Sequence, residues 1–222
     1  MGLLLTVRST DTTSYFKEIM HEMFHVFQPD EILLCSGFYQ EKHSTYSPYY
    51  QVSLDVSSAG VDLEHLLSHI EKVTLVGIHG SNTEWLDSYK NFYMNIKKKN
   101  PKIVAYKSKD NNWHAKIMIF RRNGKSVACI IGSSNMTKSA YESKAGINFN
   151  IESDVYIYDN SKDVEMLNIA TTLRSRESTS SIIVGNYSPQ MNGNLSEVEI
   201  IDDYYNNIIK SLKSSDFEQL RE

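Results

Sequence analysis

The sequence predicts an α/β fold in which a mixed β-sheet carries helices on both faces. Three observations lead there. Helical and strand patterns alternate along most of the 222 residues. Compact apolar runs at 31–37 and 72–78 look like strands buried on both faces. The pair Asn123-Gly124 between two apolar runs signals a two-residue hairpin, which adds antiparallel pairing to the sheet.

Taken in order, residues 3–7 read as a first strand. Thr10 or Asp11 can cap a helix whose apolar positions Phe16, Ile19, Met20, Met23 and Phe24 recur at helical spacing. A buried strand is expected at 31–37, then a loop rich in Tyr, Ser and His, and a strand at 50–56. Val61, Leu63, Leu66, Leu67 and Ile70 share one helical face ahead of the strand at 72–78. Residues 83–99 read as a helix ending in Lys97, Lys98 and Lys99, with Pro101 stopping it. Strands follow at 103–106, 114–120 and 127–131, a short helix at 137–142, a strand at 148–158 and a helix at 163–174. Residues 1–176 are expected to form the main domain. Residues 177–222 read as a linker with one apolar run, then a terminal helix that packs on the domain or leads to a further one.

Composition narrows the class. Cys35 and Cys129 each sit in an apolar run and fit neither a disulfide framework nor a zinc site, so a cytoplasmic setting is expected. No run is long enough to span a membrane, and no amphipathic segment carries the basic face that membrane binding favours. The net charge of −4 hides an asymmetry, because residues 90–144 hold 13 of the 23 Lys and Arg and only Asp110 and Glu142 as acids. A positive field for a polyanion is the expectation. His21 and His25 match a His-Glu-x-x-His pattern, but no third ligand follows in a recognisable motif. The segment reads as an amphipathic helix with half-buried histidines, and no metal or cofactor is expected.

The informative stretch runs from 113 to 157. His114 and Lys116 lie two apart in an expected strand, a spacing that turns both side chains to one face. A second strand ends at Gly132, Ser133, Ser134 and Asn135, whose neutral donors suit phosphate oxygens. The short helix after Asn135 would point backbone N–H groups at an anion. Glu152 arrives on a third strand. Arg121, Arg122 and Lys138 are the candidate cations for holding a substrate beside Ser133 and Ser134. A weaker candidate site is the polar turn His79, Gly80, Ser81 and Asn82 after the strand at 72–78.

His114-x-Lys116, the Gly-Ser-Ser-Asn turn and Glu152 resemble the HKD motif of the phospholipase D superfamily, closely over about 103–158. The motif's usual Asp is replaced by Arg121, and the pattern looks most like the superfamily's metal-independent restriction endonucleases. The resemblance implies a phospholipase D-like α/β fold with one HKD motif per chain. It implies His114 as nucleophile, Lys116 and Asn135 on the phosphate oxygens, and Glu152 orienting His114. One histidine cannot be both nucleophile and acid in one step, so a homodimer sharing the site is expected. DNA is the expected substrate, with sequence reading left to a separate recognition domain or translocase subunit. The alternatives are a phospholipase D or phosphatidyl transferase, or a catalytically silent dimer that binds nucleic acid.

Overall fold

The computed structural model describes residues 2–8, 14–45, 47–77, 83–109, 114–141, 151–176 and 181–221. The proposed cap at Thr10 or Asp11 and the turn at His79, Gly80, Ser81 and Asn82 lie outside these residues. The strands are β1 (Gly2–Arg8), β2 (Glu31–Ser36), β3 (Glu41–His43), β4 (Ser47–Gln51), β5 (Lys72–Gly77) and β6 (Val104–Ser108). They continue with β7 (Ile117–Arg122), β8 (Lys125–Gly132), β9 (Glu152–Tyr158), β10 (Ile182–Asn186) and β11 (Phe217–Gln219). The helices are α1 (Phe16–Phe27), α2 (Leu63–Ser68), α3 (Thr83–Lys99), α4 (Lys138–Tyr141), α5 (Asp163–Arg174) and α6 (Glu197–Ser211).

Nine strands form one sheet in the order β10-β1-β9-β8-β7-β2-β5-β6-β11, and β3 with β4 makes a separate hairpin. Among the described strands only β2–β5 and β5–β6 pair in parallel, beside an isolated parallel bridge between Tyr39 and Met136. The sheet is mixed because β7 returns antiparallel to β2 and turns directly into β8. That turn is Asn123 at φ 52 and Gly124 at φ 77, the two positive φ values of a type I′ hairpin. The segment read as a linker joins the same sheet. β10 pairs with β1 and β11 pairs with β6, so the C-terminal residues supply both sheet edges.

Helices cover both faces, unequally. Phe16, Ile19, Met20, Met23, Phe24 and Phe27 of α1 line one side of the helix and enter the larger core. They are joined there by apolar residues of α2, α3 and α5 and by Tyr141 of α4. The opposite face is covered by α6, which opens with a capping box between Ser196 and Glu199. Its Ile201, Tyr205 and Ile208, with Leu212, bury Leu33, Ile119 and Cys129 in a second core. Cys35 and Cys129 are both buried and both free. Among the described residues no helix is long and apolar enough to cross a membrane.

The two histidines of α1 part company. His21 is buried, with Nε2 2.7 Å from the Tyr141 hydroxyl, whereas His25 is exposed. Among the described residues no three His, Cys, Asp or Glu gather as metal ligands.

The basic segment does not collect in one place, contrary to the expectation from charge. Asn100, just past α3, donates to the carbonyls of Leu67 and Ile70, which places Lys97, Lys98 and Lys99 at the edge where β5 begins. Arg121 and Arg122 are at that edge too, since Arg121 pairs with Glu31 in register. The reason is geometric: α3 and β7 each carry the chain from one edge of the sheet to the other.

Arg121, expected beside the substrate, therefore stands apart from the candidate site. It lies about 16 Å along the strand from Lys116, at roughly 3.3 Å per residue. Its guanidinium is 2.8 Å from Glu31, 3.6 Å from Asp202 and 3.8 Å from the Tyr205 ring centroid. Burial opposes ionisation of Glu31. The hydrogen bonds from Lys72 and Tyr205 and the charges of Lys72 and Arg121 outweigh it and hold the carboxyl below its usual range. Arg122 is exposed beside it.

Two outcomes test this description. Arg121→Asp, which installs the motif's usual acid, should destabilise by roughly 3 kcal/mol or more in urea unfolding, because Glu31 and Asp202 then face a third carboxylate. Arg121→Met should cost less, and the reverse order would contradict the pairing. Burial, with Lys17 and His25 adding, lowers the His21 pKa to about 3. The unfolded chain takes up that proton near the ordinary 6.5, so stability from this group is lost as pH falls below 6.5. The advantage of the wild type over His21→Gln should shrink by about 2 kcal/mol between pH 7 and pH 5. A difference constant with pH would contradict it.

Candidate active site

Strand register builds the site. Cys35 pairs with Ile117, Ile117 with Ile131, Gly132 with Asp154, and Glu152 with Arg8. Five chain segments thus meet in one row along the same edge of the sheet: Ser36 closing β2, His114 to Lys116 before β7, the Gly-Ser-Ser-Asn turn that starts at the last residue of β8, Glu152 opening β9 and Arg8 closing β1. Side chains far apart in sequence meet because an antiparallel strand begins where its neighbour ends.

Lys116 and Asn135 converge over Gly37. A Cβ at Gly37 would lie 3.1 Å from Asn135 Oδ1 and 3.6 Å from Lys116 Nζ. Asn135 Oδ1 accepts from the Phe38 N–H at 3.2 Å, and the Ser36 hydroxyl is 3.4 Å away. Ser36 Oγ also accepts the Met136 N–H at 3.0 Å, which ties the turn to the end of β2. With its oxygen engaged there, the Asn135 amide has its NH₂ as the group able to donate to a ligand.

Lys116 lies ahead of β7 rather than inside it, and its ammonium donates to the His114 carbonyl at 3.0 Å. Burial holds the Lys116 ammonium below its ordinary pKa, and the Glu152 carboxylate opposes that shift. The His114 residue is exposed. Glu152 is 7 % exposed and accepts the Ser133 hydroxyl, while Ser133 Oγ accepts the Ser153 N–H at 2.9 Å.

The serines do different work from that expected. Ser134 Oγ donates to Asp154 Oδ2 at 2.7 Å and its N–H reaches Oδ1 at 3.2 Å. Both hydroxyls therefore hold carboxylates and pin the turn. The anion-directed helix terminus is not formed either. α4 has four residues, its Lys138 N–H goes to Gln40 Oε1 at 2.8 Å, and the Ala140 and Tyr141 N–H groups go to the Thr137 carbonyl. The Lys138 ammonium lies 5.8 Å from the Tyr50 ring centroid.

Asp154, Ser36, Gly37 and Arg8 escaped the sequence reading. Asp154 is 3 % exposed and shares a small cleft with Lys116 and Ser134, floored by Phe16, Leu34, Met118 and Ile130. Burial pushes its carboxyl up to about 6, against the Ser134 hydrogen bonds and with the Glu152 charge adding. The signal for Asp154 was its place two residues after Glu152 on one strand, hence on one face. Arg8 is buried and donates to the Ser139 carbonyl. No local pattern marks it, because it reaches the site only through the pairing of β1 with β9.

Gly132 is the tightest point. A Cβ there would lie 2.0 Å from Asp154 Oδ1 and 2.6 Å from the Ser153 carbonyl oxygen. Gly132→Ala should destabilise by about 1–3 kcal/mol in urea unfolding. It should also lower any activity of the site more than the same loss of stability elsewhere does, because it moves Ser133 and Asn135. An unchanged unfolding midpoint would contradict this packing.

No curated protein sequence matches the chain. Yeast tyrosyl-DNA phosphodiesterase, as its H432N_Glu mutant, aligns at 17 % identity and TM-score 0.35, covering 70 % of this chain and 30 % of its own. Polyphosphate kinase from Porphyromonas gingivalis aligns at 12 % identity and TM-score 0.36, covering 96 % of this chain and 29 % of its own. The chain thus spans under a third of either protein. Residues 28–168, well over half of the chain and including His114, Lys116, Asn135 and Glu152, match the family described as cardiolipin synthase, PLD-like domain, and the chain belongs to that PLD-like family.

Proposed function

We propose that this chain is a metal-independent DNA phosphodiesterase, a nuclease domain of the restriction type, working through a phosphohistidine. The observation that carries the reading is the convergence of Lys116 and Asn135 over Gly37, in the same row as His114 and Glu152. Membership in the PLD-like family supports phosphodiester chemistry. A phosphodiester needs an in-line nucleophile, positive charge on its non-bridging oxygens and a proton for the leaving alkoxide.

His114 attacks phosphorus, a P–N bond forms, and the P–O bond to the leaving strand breaks. Lys116 and the Asn135 amide hold the non-bridging oxygens as their charge grows. Glu152 orients the His114 ring and carries the Ser133 hydroxyl as its own support. The leaving alkoxide takes its proton from His114 of a second copy across a two-fold axis. That imidazole then removes a proton from water, which attacks phosphorus and breaks the P–N bond. Sequence choice belongs to a separate recognition domain or subunit.

Plasmid DNA incubated with the protein in excess EDTA tests this directly. The wild type should nick, and His114→Ala should lose roughly 10³-fold or more. Acid-labile label from phosphate should stay on the wild-type chain after denaturation. No nicking, or equal nicking by both proteins, sinks the proposal, and a monomer by light scattering under active conditions removes the shared site. The family description favours one other substrate, a phosphatidyl lipid. Turnover of phosphatidylglycerol vesicles without nicking of DNA would put that reading in place of this one.

A further inference from the structure

Asn135 is tethered on both sides. After it, the Met136 N–H is held by Ser36 Oγ at 3.0 Å. Before it, Ser134 donates twice to Asp154, from Oγ to Oδ2 at 2.7 Å and from its N–H to Oδ1 at 3.2 Å. The first tether ends on a neutral hydroxyl and the second on a carboxylate, so only the second responds to a proton. Asp154 is 3 % exposed, and Gly132 leaves no side chain between it and the turn, since a Cβ there would lie 2.0 Å from Oδ1.

The surroundings of Asp154 set the pH at which that proton arrives. Glu152 lies two residues earlier on the same face of β9 and holds Ser133. Lys116, from the segment before β7, lines the same cleft. On β1, Thr6 is opposite Asp154 in register and Arg8 is opposite Glu152. Tyr156 follows on β9, its hydroxyl 3.4 Å from Thr6 Oγ1. Phe16 of α1, Leu34 of β2 and Ile130 of β8 contribute an apolar floor. Burial, with the Glu152 charge adding, pushes the carboxyl up to about 6 against the Ser134 hydrogen bonds. A protonated carboxyl keeps one oxygen as a strong acceptor, so one of the two Ser134 donations then loses its partner.

We propose that Asp154 is a positioning residue: its carboxylate clamps Ser134 and so holds Asn135 where the amide meets a phosphodiester, and proton uptake releases the turn. The proposal deepens the phosphodiesterase reading and rests on it for the ligand. Its sign separates the clamp from plain electrostatics. A neutral Asp154 removes a negative charge from beside Lys116, which by itself favours an anion at low pH. Fuller protonation of Lys116, whose pKa is lowered by burial, acts in the same direction. The clamp makes acid weaken the anion's hold, because only molecules with the turn in place bind and the apparent affinity falls with their fraction.

Dimethyl phosphate, a diester whose single charge is constant between pH 5 and pH 7.5, is titrated by NMR into His114→Ala protein in EDTA. The substitution removes the charge change of the neighbouring imidazole. Affinity should fall roughly tenfold from pH 7.5 to pH 5, centred near pH 6. The Asn135 side-chain NH₂ resonance of the free protein should move over the same range. Asp154→Asn, neutral at every pH, should bind weakly at both pH values and show neither change. Affinity that is flat or rises toward pH 5, or no binding at either pH, overturns the clamp. A fall that survives Asp154→Asn overturns it too. The sign of the profile needs no substitution at Asp154, so it decides the matter even if Asp154→Asn fails to fold. Hydrolysis of methyl p-nitrophenyl phosphate by protein with intact His114 reports separately on the reaction. Its absence beside an affinity that falls in acid removes the reaction and keeps the clamp.

Discussion

Everything at the candidate site depends on the pairing register of β2, β7, β8 and β9. One backbone hydrogen-bond frame puts Ser36, Lys116, Gly132 and Asp154 at the same height. A slip of one residue in any of these pairs would turn a strand's side chains to the other face and separate Lys116 from Asn135. The frame is locked at the opposite edge by the two-residue turn at Asn123 and Gly124, whose Asn123 N–H is held by Asp30 at 2.7 Å. It is locked again by Arg121, which joins Glu31 of β2 to Asp202 of α6. The two ends of these strands thus differ: one fixes the register, and the other carries the candidate site that the register assembles.

That division gives the replacement of the motif's Asp a physical account. An acid at position 121 would face Glu31 in register. With Arg in its place the pair is attractive, and the interaction that pins β7 to β2 is kept with its polarity set by the chain's own partners. The departure therefore concerns the locking edge and leaves His114, Lys116, Asn135 and Glu152 in their row.

At the working edge, two serines are paired with two carboxylates on alternate positions of β9. Ser133 meets Glu152 and Ser134 meets Asp154. Gly132 lets the turn come down on Asp154, where a methyl group would collide with the carboxylate. The price is a buried carboxyl whose pKa is pushed up to about 6 and an ammonium at Lys116 whose pKa is lowered. Opposed shifts in one cleft are what desolvation produces, because burial disfavours the charged form of an acid and of a base alike.

Much of this was legible in the residues alone. Apolar spacing placed α1 and α5, the Asn-Gly pair placed the β7–β8 hairpin, and the spacing of His114, Lys116, Asn135 and Glu152 marked the candidate site, because each is a local pattern set by backbone periodicity. Charge counting misled. Lys97, Lys98, Lys99, Arg121 and Arg122 are near the motif in sequence, yet α3 and β7 carry them to the far edge of the sheet. Arg8 and Ser36 were invisible for the converse reason, since they are remote from the motif in sequence and reach it only through strand pairing. The sequence by itself determined the PLD-like α/β fold class and the kinds of element on which the motif residues fall. Only the tertiary structure decided which side chains share that site, because neighbourhood across a sheet is set by register and strand order rather than by distance along the chain.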